Sequence, residues 1–506
     1  MNLTTDPWIP AVRGDGSRAL FSLLDLFAQA HELRDLAVKP HERIALMRLL
    51  LCITQAALDG PEDEADWEDC RDRIQPRVNE YLEKWNAKFE LFGDGERFLQ
   101  VSNLKPAHET KEGNPATKLD LSLSTGSNPT LFDNSAGDKR SVDKARAALN
   151  LLAFQCFSPS GTIGVAKWNG EDTPGSGSSK HAPCLPSNMI HALLLGDSLL
   201  ATLHLNLLNN EVMRDVPPGK IGRPVWEQPP KGAGDVGAVE NATVTHLGRL
   251  VPFARSVRLD VGGTSIILAN GLEFPPFPAS REATATIVLK KKDELGMLSA
   301  TPERSLWRQL APIAVRRQAS KDAISGPLAL MHAPKSSDTA LWVGALIMNE
   351  RNAAKIEDVV EALYRMPPEM LDAPGRAAYE RGVNHADKFE SALKQAVHEY
   401  VEHVLEDDPK KSKSKARDAK ARQHFWTRVE QSLSALFDVA RELTSEEELP
   451  ASEWGRAVRA AALDAYRQSC PRQTPRQIQA YALGLRRLNA SSKSKSTRTT
   501  KVTSNE

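Results

Sequence analysis

The sequence predicts an α+β protein: a large mixed N-terminal domain over residues 1–372, a C-terminal four-helix bundle over 373–490, and a disordered basic tail over 491–506. Three observations lead there. At 506 residues and 41% apolar, the chain is too long for one small core and too apolar for disorder. Between about 240 and 350, short β-branched runs alternate with Gly, Pro and Asn, the texture of strands. Beyond APG at 373–375, apolar residues recur only at helical spacing.

The opening NLTTDPWIPAV sets prolines on either side of Trp8 and Ile9, which excludes a helix and suits an edge strand. A helix starts near His41, where Ile44, Met47, Leu50 and Leu51 recur at intervals of three and four and few polar positions follow, so it is buried on most sides. The more polar stretch from DEADWEDCRDRI to EYLEKWNAKF reads as a surface helix interrupted near Pro76, followed by a GDGE turn and a short strand RFLQV. Residues 105–140 have the composition of a long loop before ARAALNLLAFQCF restores a helix. The Gly-rich stretch SPSGTIGVAKWNGEDTPGSGSSKHAP carries Lys167, Lys180 and His181, and Ser187 is placed to cap a helix SNMIHALLLGDSLLATLHLNLL. TVTHLGRLVPF, SVRLDV, TSIILAN, ATIVLKK and ALWVGALIM read as strands, with one helix from about Glu303 to Val315.

The bundle is read from four stripes. Phe389, Leu393, Val397, Tyr400 and Val404 make the first, and Phe425, Val429, Leu433, Leu436 and Ala440 the second. Trp454, Val458, Ala461 and Ala465 make the third; the fourth opens with Thr474 as cap and Pro475 at its first position, then Ile478, Tyr481 and Leu485.

Composition narrows function mainly by exclusion. Lys and Arg number 65, and so do Asp and Glu, so net charge draws the chain to no polyanion and any such partner must be argued from local patches. The most apolar stretch contains Asp197, His204 and Asn206, too polar to span a bilayer, and the N-terminus has no signal-peptide pattern, so a cytoplasmic protein without membrane contact is expected. Cys52, Cys70, Cys156, Cys184 and Cys470 form no CxxC pair and no zinc-ligand spacing; they read as reduced and mostly buried, with no metal assigned. GTIGVAKWNG lacks the Lys-Ser/Thr pair of a phosphate loop, and GxSxG and HExxH are missing. The acids from Glu62 to Asp66 and from Glu446 to Glu448 suit helix starts. A binding subunit with no catalytic residue and no cofactor is expected rather than an enzyme.

Two features suit nucleic acid. PKKSKSKARDAKAR, residues 409–422, has seven Lys/Arg against one Asp, so Lys410, Lys411, Lys413, Lys415 and Arg417 are candidate phosphate contacts; the alternative is a solvated connection between bundle helices. In the Gly-rich stretch, glycine lets backbone approach a minor groove where a side chain would collide, although such glycines also serve as simple turns.

Several segments together carry a resemblance: NLTTDPWIPAV, the LCITQ helix, FELFGDGERFLQ, NPTLFDNSAG, the Gly-rich stretch after the AFQ helix, RPVWEQ, NGLEFPPFP and QHFW. In that order the chain resembles the CasA family, the large subunit of the type I-E CRISPR surveillance complex Cascade. The resemblance implies a non-enzymatic subunit near the handle of the guide RNA that recognises the protospacer-adjacent motif in double-stranded DNA, helps open the duplex and docks a helicase-nuclease. Its partners would be the other Cascade subunits, the CRISPR guide RNA, the target duplex and that helicase-nuclease. Matched residue by residue, the family's glycine loop falls on Gly161 and Gly164, facing the minor groove. The guide-handle loop falls on Phe132 and Asn134, and the wedge hairpin on Asn349, Glu350, Arg351 and Asn352. The family's wedge glutamine is replaced, Thr264 stands near the position of a groove-reaching lysine, and the absence of cysteine from RSVRLDVGGTSII implies no zinc. Two rival readings remain: a purely architectural subunit, and a metal-dependent nuclease with dispersed ligands.

Overall fold

The computed structural model describes residues 1–108, 113–123, 140–159, 163–175, 184, 188–215, 219–275, 282–290, 294–316, 324–349, 356–404 and 411–491, with backbone alone at 215, 411–416 and 491. The chain divides into two compact units, Met1–Arg365 and Met366–Glu506. The first mixes helices with small sheets and the second is helical, as the α+β reading predicts.

The organising element of the first unit is the helix Pro40–Leu58. Proline at its first position has no N–H to leave unpaired, and Asp59 ends it in the left-handed conformation at φ 51°. Every residue from His41 to Gln55 is buried, so polar side chains on this helix must find partners inside the protein. It packs against the helices Ile74–Trp85 and Lys144–Phe157. Helix Ile74–Trp85 turns Ile74, Val78, Tyr81 and Leu82 inward, and the break expected near Pro76 comes just before it, at the 3₁₀ turn Cys70–Arg73.

Five local expectations are corrected. Ile9–Arg13 is the central strand of its sheet, between Arg18–Phe21 and Leu33–Leu36, not an edge. Pro10 is tolerated because its pairing with the third strand begins only at Ala11, while its carbonyl accepts the Ala37 N–H at 2.9 Å. RFLQV forms no strand: Val101 N–H reaches Val257 O at 2.9 Å, and the Gln100 side chain accepts from Leu259 N at 2.8 Å, replacing a ladder bond. The run expected to be one helix after Ser187, itself outside the described residues, is a strand His191–Leu194 and a helix Leu199–Asn206 capped by Ser198. That strand is buried on both faces, where a continuous apolar run reads alike as helix or strand. TVTHLGRLVPF lies, up to Leu250, in the helices Val236–Val244 and His246–Leu250, whose Asp235 and Thr245 caps outweigh the β-branched composition. The helix expected over 303–315 shrinks to a 3₁₀ turn Leu306–Gln309 and a short helix Leu310–Ile313.

Two sheets frame the site. One orders Asn114–Pro115, Ser265–Asn270 and Arg255–Leu259; the other orders Ile356–Met366, Thr339–Met348 and His191–Leu194.

In the second unit the helices are Ala373–Val404, Lys411–Glu430, Leu433–Arg441, Glu453–Ser469 and Pro475–Ser491. The predicted second stripe is thus split, because Ser432 leaves helical geometry at φ −111° and ψ 20°. Trp454 Nε1 donates to Gly382 O at 2.8 Å, and a Cβ on Gly382 would fall 2.4 Å from Leu436, so glycine there sets the helix approach. Ile478 departs from its stripe, with 55% of its surface exposed. The five cysteines are free and buried, and among the described residues no helix is long and apolar enough to cross a membrane.

Candidate nucleic-acid interface

Helix Lys144–Phe157, capped by the Asp143 side chain on Arg146 N at 2.9 Å, delivers the chain to the Gly-rich stretch. Gln155, buried in an otherwise apolar run, donates from Nε2 to Leu99 O at 3.0 Å and to Arg255 O at 2.9 Å, and accepts from Arg255 N at 2.8 Å. The chain therefore leaves the helix registered against the strand Arg255–Leu259. Ser158 and Pro159 follow, each held by the Arg255 guanidinium.

Beyond residues 160–162 the strand Ala166–Trp168 turns back through Asn169 and Gly170, both at positive φ (56° and 87°), into Glu171–Asp172. Left-handed φ at both central positions is the two-residue turn that matches strand twist, which explains the Asn-Gly pair. Asn270 Nδ2 donates to Pro174 O at 2.8 Å, and Cys184 N–H reaches Cys156 O at 3.3 Å. The stretch thus returns to the end of the helix it left.

Gly164 is exposed and lines a groove of about 140 Å³ with Pro106, Gly113, Asn114, Lys118 and Ile267. A Cβ on Gly113 would lie 2.9 Å from Ile266 O, so this wall admits only glycine without movement. Lys105 and Lys167 stand directly opposite in the antiparallel pair Lys105–Pro106 with Ala166–Trp168, with Asp172 3.5 Å from the Lys167 amine. Like charges paired across strands cost stability, and an anion beside them would offset that cost. Gly161 lies outside the described residues, as do Lys180 and His181.

The second candidate is the hairpin. Thr339–Met348 and Ile356–Met366 are consecutive, hydrogen-bonded neighbours, and a connection this short joins strands only antiparallel. Asn349, at its base, donates to Glu357 Oε1, while Glu350, Arg351 and Asn352 are outside the described residues. Just before the tip, Asn188 brackets Met348: its Oδ1 accepts Met348 N at 2.9 Å and its Nδ2 donates to Met348 O at 3.1 Å. Asn188 follows Cys184 by four residues, so these two residues are at most about 14 Å apart. Asn188 therefore ties the segment that follows the Gly-rich stretch to the hairpin strand.

Phe132 and Asn134 fall outside the described residues; their segment is bounded by Asp120, 3.3 Å from Arg146, and by Val142, whose N–H bonds to Gly263 O at 2.9 Å. In the second unit the basic run is helical from Lys411 rather than a connection, in keeping with the helix propensity of Lys, Arg and Ala. Lys410 and the side chains of Lys411, Lys413 and Lys415 are outside the description. Arg417 donates to Ser469 O at 3.0 Å and lies over the Tyr400 ring at 5.4 Å, so it is committed to helix packing.

Sequence reasoning missed the buried polar residues behind the site. Arg48, 1% exposed, donates to Leu250 O at 2.9 Å, Arg249 O at 2.6 Å and Glu282 Oε1 at 2.6 Å; Arg249 meets the other Glu282 oxygen at 3.0 Å. Burial alone would raise the Glu282 carboxyl, but the two guanidiniums hold it well below the usual carboxylate range. His191, bonded to Thr284 Oγ1 at 2.8 Å, is pushed down to about 4 by burial and stays neutral. The signal was present in the sequence: Arg48 and Gln155 interrupt apolar helices, where a polar side chain must be paired.

Comparison with known proteins identifies the fold's relatives. A family model described as CRISPR-associated protein Cse1 matches residues 2–465. A Thermus thermophilus protein named CRISPR-associated protein CasA/Cse1 is 29% identical over 487 residues, covering 92% of this chain and 91% of that one. The solved Thermus thermophilus CasA (Cse1) superposes with a TM-score of 0.74 at 25% identity, covering 97% of this chain and 99% of that one. A chain in a structure called CRISPR RNA-guided surveillance complex shares the fold at a TM-score of 0.72 and 18% identity, with 97% and 99% covered.

Proposed function

Because the chain belongs to the Cse1 (CasA) family of CRISPR-associated proteins, we propose that it is the large, non-enzymatic subunit of a type I-E RNA-guided surveillance complex, Cascade. In this reading it recognises the protospacer-adjacent motif of double-stranded DNA through the minor groove, promotes strand opening and recruits the helicase-nuclease. Its other partners are the remaining Cascade subunits and the guide RNA, contacted through Phe132 and Asn134.

The observation that carries the reading is the Asn188 anchor. Gly164 opens on a groove flanked by Lys105, Lys118 and Lys167, and the same stretch leads to Asn188, which fixes the strand before the hairpin tip. Backbone at Gly161 and Gly164 reads groove shape, permissively, because A·T and T·A pairs present nearly the same minor-groove pattern. Asn349 and Asn352 then prop the first base step apart. Unstacking one step costs a few kcal/mol, which contacts to the deformed duplex offset. Lys410, Lys411, Lys413 and Lys415 add sequence-independent phosphate contacts.

Replacing Gly164 with Phe in the assembled complex tests the groove. Discrimination among duplex motifs is expected to collapse while guide-paired binding to melted DNA persists; unchanged discrimination removes the assignment. Changing Asn349 and Asn352 together is expected to slow opening of duplex targets more than binding to melted ones, and equal effects remove the wedge.

A further inference from the structure

Arg255 is 0% exposed, and among the described residues no carboxylate pairs with its guanidinium. Its Nε donates to Ser158 Oγ at 2.6 Å, and its terminal nitrogens donate to Asn270 Oδ1 at 2.6 Å and Pro159 O at 2.7 Å. All three acceptors are neutral. Asn270 in turn donates to Pro174 O at 2.8 Å. One hydrogen-bonded path therefore runs from Ser158 and Pro159 through Arg255 and Asn270 to Pro174, spanning the two arms of the Gly-rich stretch.

Burying a guanidinium without a counter-ion is costly, and an apolar side chain of similar volume would fill the space at less cost. What an apolar side chain cannot do is fix three acceptors around one rigid, planar fork. Burial pushes the Arg255 guanidinium down to about 10, so it still carries its full set of donors at neutral pH.

We propose that Arg255, acting with Asn270, is a positioning residue for motif recognition: it sets the separation and pitch of the two arms of the Gly-rich stretch and so determines which base pairs beside the target are accepted. This rests on the reading that the stretch faces the minor groove. Arg255 itself touches no DNA in this account.

The test uses the assembled complex and a set of duplexes carrying every dinucleotide beside one guide-matched sequence, together with the same targets pre-melted. Arg255→Lys keeps the charge but loses the fork; Asn270→Ser leaves Arg255 on Ser158 and Pro159 and releases Pro174. Arg255→Lys is expected to lower the affinity ratio between the best and worst motifs about tenfold, with binding to pre-melted targets changed less than about twofold. Asn270→Ser is expected to act in the same direction with a smaller loss, and it decides the matter alone where Arg255→Lys does not assemble. A merely structural role would weaken every target equally, and that result overturns the proposal, as does an unchanged motif ratio. Gly164→Phe, run beside them, separates the two failures. If it alters the ratio while both clamp variants leave it intact, only this inference falls; if it too leaves the ratio intact, the minor-groove reading falls with it.

Discussion

Arg48 and Arg255 are both fully buried in the first unit, yet one faces a carboxylate and the other, among the described residues, neutral acceptors. Arg48 ties the helix Pro40–Leu58 to residues 249–250 and to Glu282, segments distant in sequence whose docking makes the core. Arg255 ties Ser158 and Pro159, at the start of the Gly-rich stretch, to Asn270 at the end of the neighbouring strand. Removing one partner of a buried ion pair leaves the other charge stranded in the core, whereas a guanidinium held by neutral acceptors alone among the described residues fixes geometry at an energetic cost.

Acid breaks this comparison most strongly, because the Arg48 side also holds His191 and His246, each pushed down to about 4 by burial from an ordinary 6.5. In the unfolded chain these groups take up protons near 6.5, and in the folded protein only near 4. Between those values the unfolded state binds more protons, so stability falls as pH falls, by up to roughly 3 kcal/mol per group. Glu282 extends the loss below 4.5, since its unfolded carboxyl protonates there while the folded one stays ionised. Chemical denaturation across pH 7 to 4 should show this decline; a flat profile would mean that the histidines are not buried neutral.

Next in size is Arg48→Ala, which strands Glu282 beside Arg249 in the core and is expected to cost about 3–5 kcal/mol of unfolding free energy. A loss under about 1 kcal/mol, the scale of an exposed ion pair, would erase the contrast between the two arginines.

A smaller effect sharpens the other side. Asn188 sits at φ 53°, so Asn188→Gly removes its two bonds to Met348 without straining the backbone. Duplex opening, followed with a fluorescent base at the first unpaired position, should slow on the order of tenfold while binding to pre-melted DNA is unchanged. Equal effects on both would detach the hairpin from the Gly-rich stretch.

In the second unit, changing Lys411, Lys413 and Lys415 to Ala should weaken all targets uniformly and flatten the salt dependence of binding by about 1 per lost phosphate contact. A motif-dependent loss would show that the basic helix reads sequence.

Much of this architecture was legible because hydrophobic periodicity reports long helices well. The buried helix after His41 and the all-helical second unit follow directly from their stripes. The run through His191 was misread for a physical reason: a strand buried on both faces shows no alternation, so strand and helix look alike until Ser198 caps the next element. Pro10 misled in the same manner, since its position relative to a third strand depends on residues far along the chain. At the site, Gly164 and Asn349 were picked out by resemblance, whereas Arg255, Asn270 and Asn188 were invisible because their partners lie 15 to 160 residues away. Long-range pairing of polar side chains leaves little local pattern, except that Arg48 and Gln155 stand out as polar residues within apolar helices.

The most direct measurement substitutes bases in the duplex rather than residues in the protein. Inosine for guanine, or diaminopurine for adenine, alters only the minor-groove edge, whereas 7-deaza bases alter only the major-groove edge. If backbone at Gly161 and Gly164 reads the minor groove, inosine and diaminopurine beside the target should change binding of the complex and 7-deaza bases should not. Sensitivity to 7-deaza bases with indifference to the minor-groove changes would contradict the account.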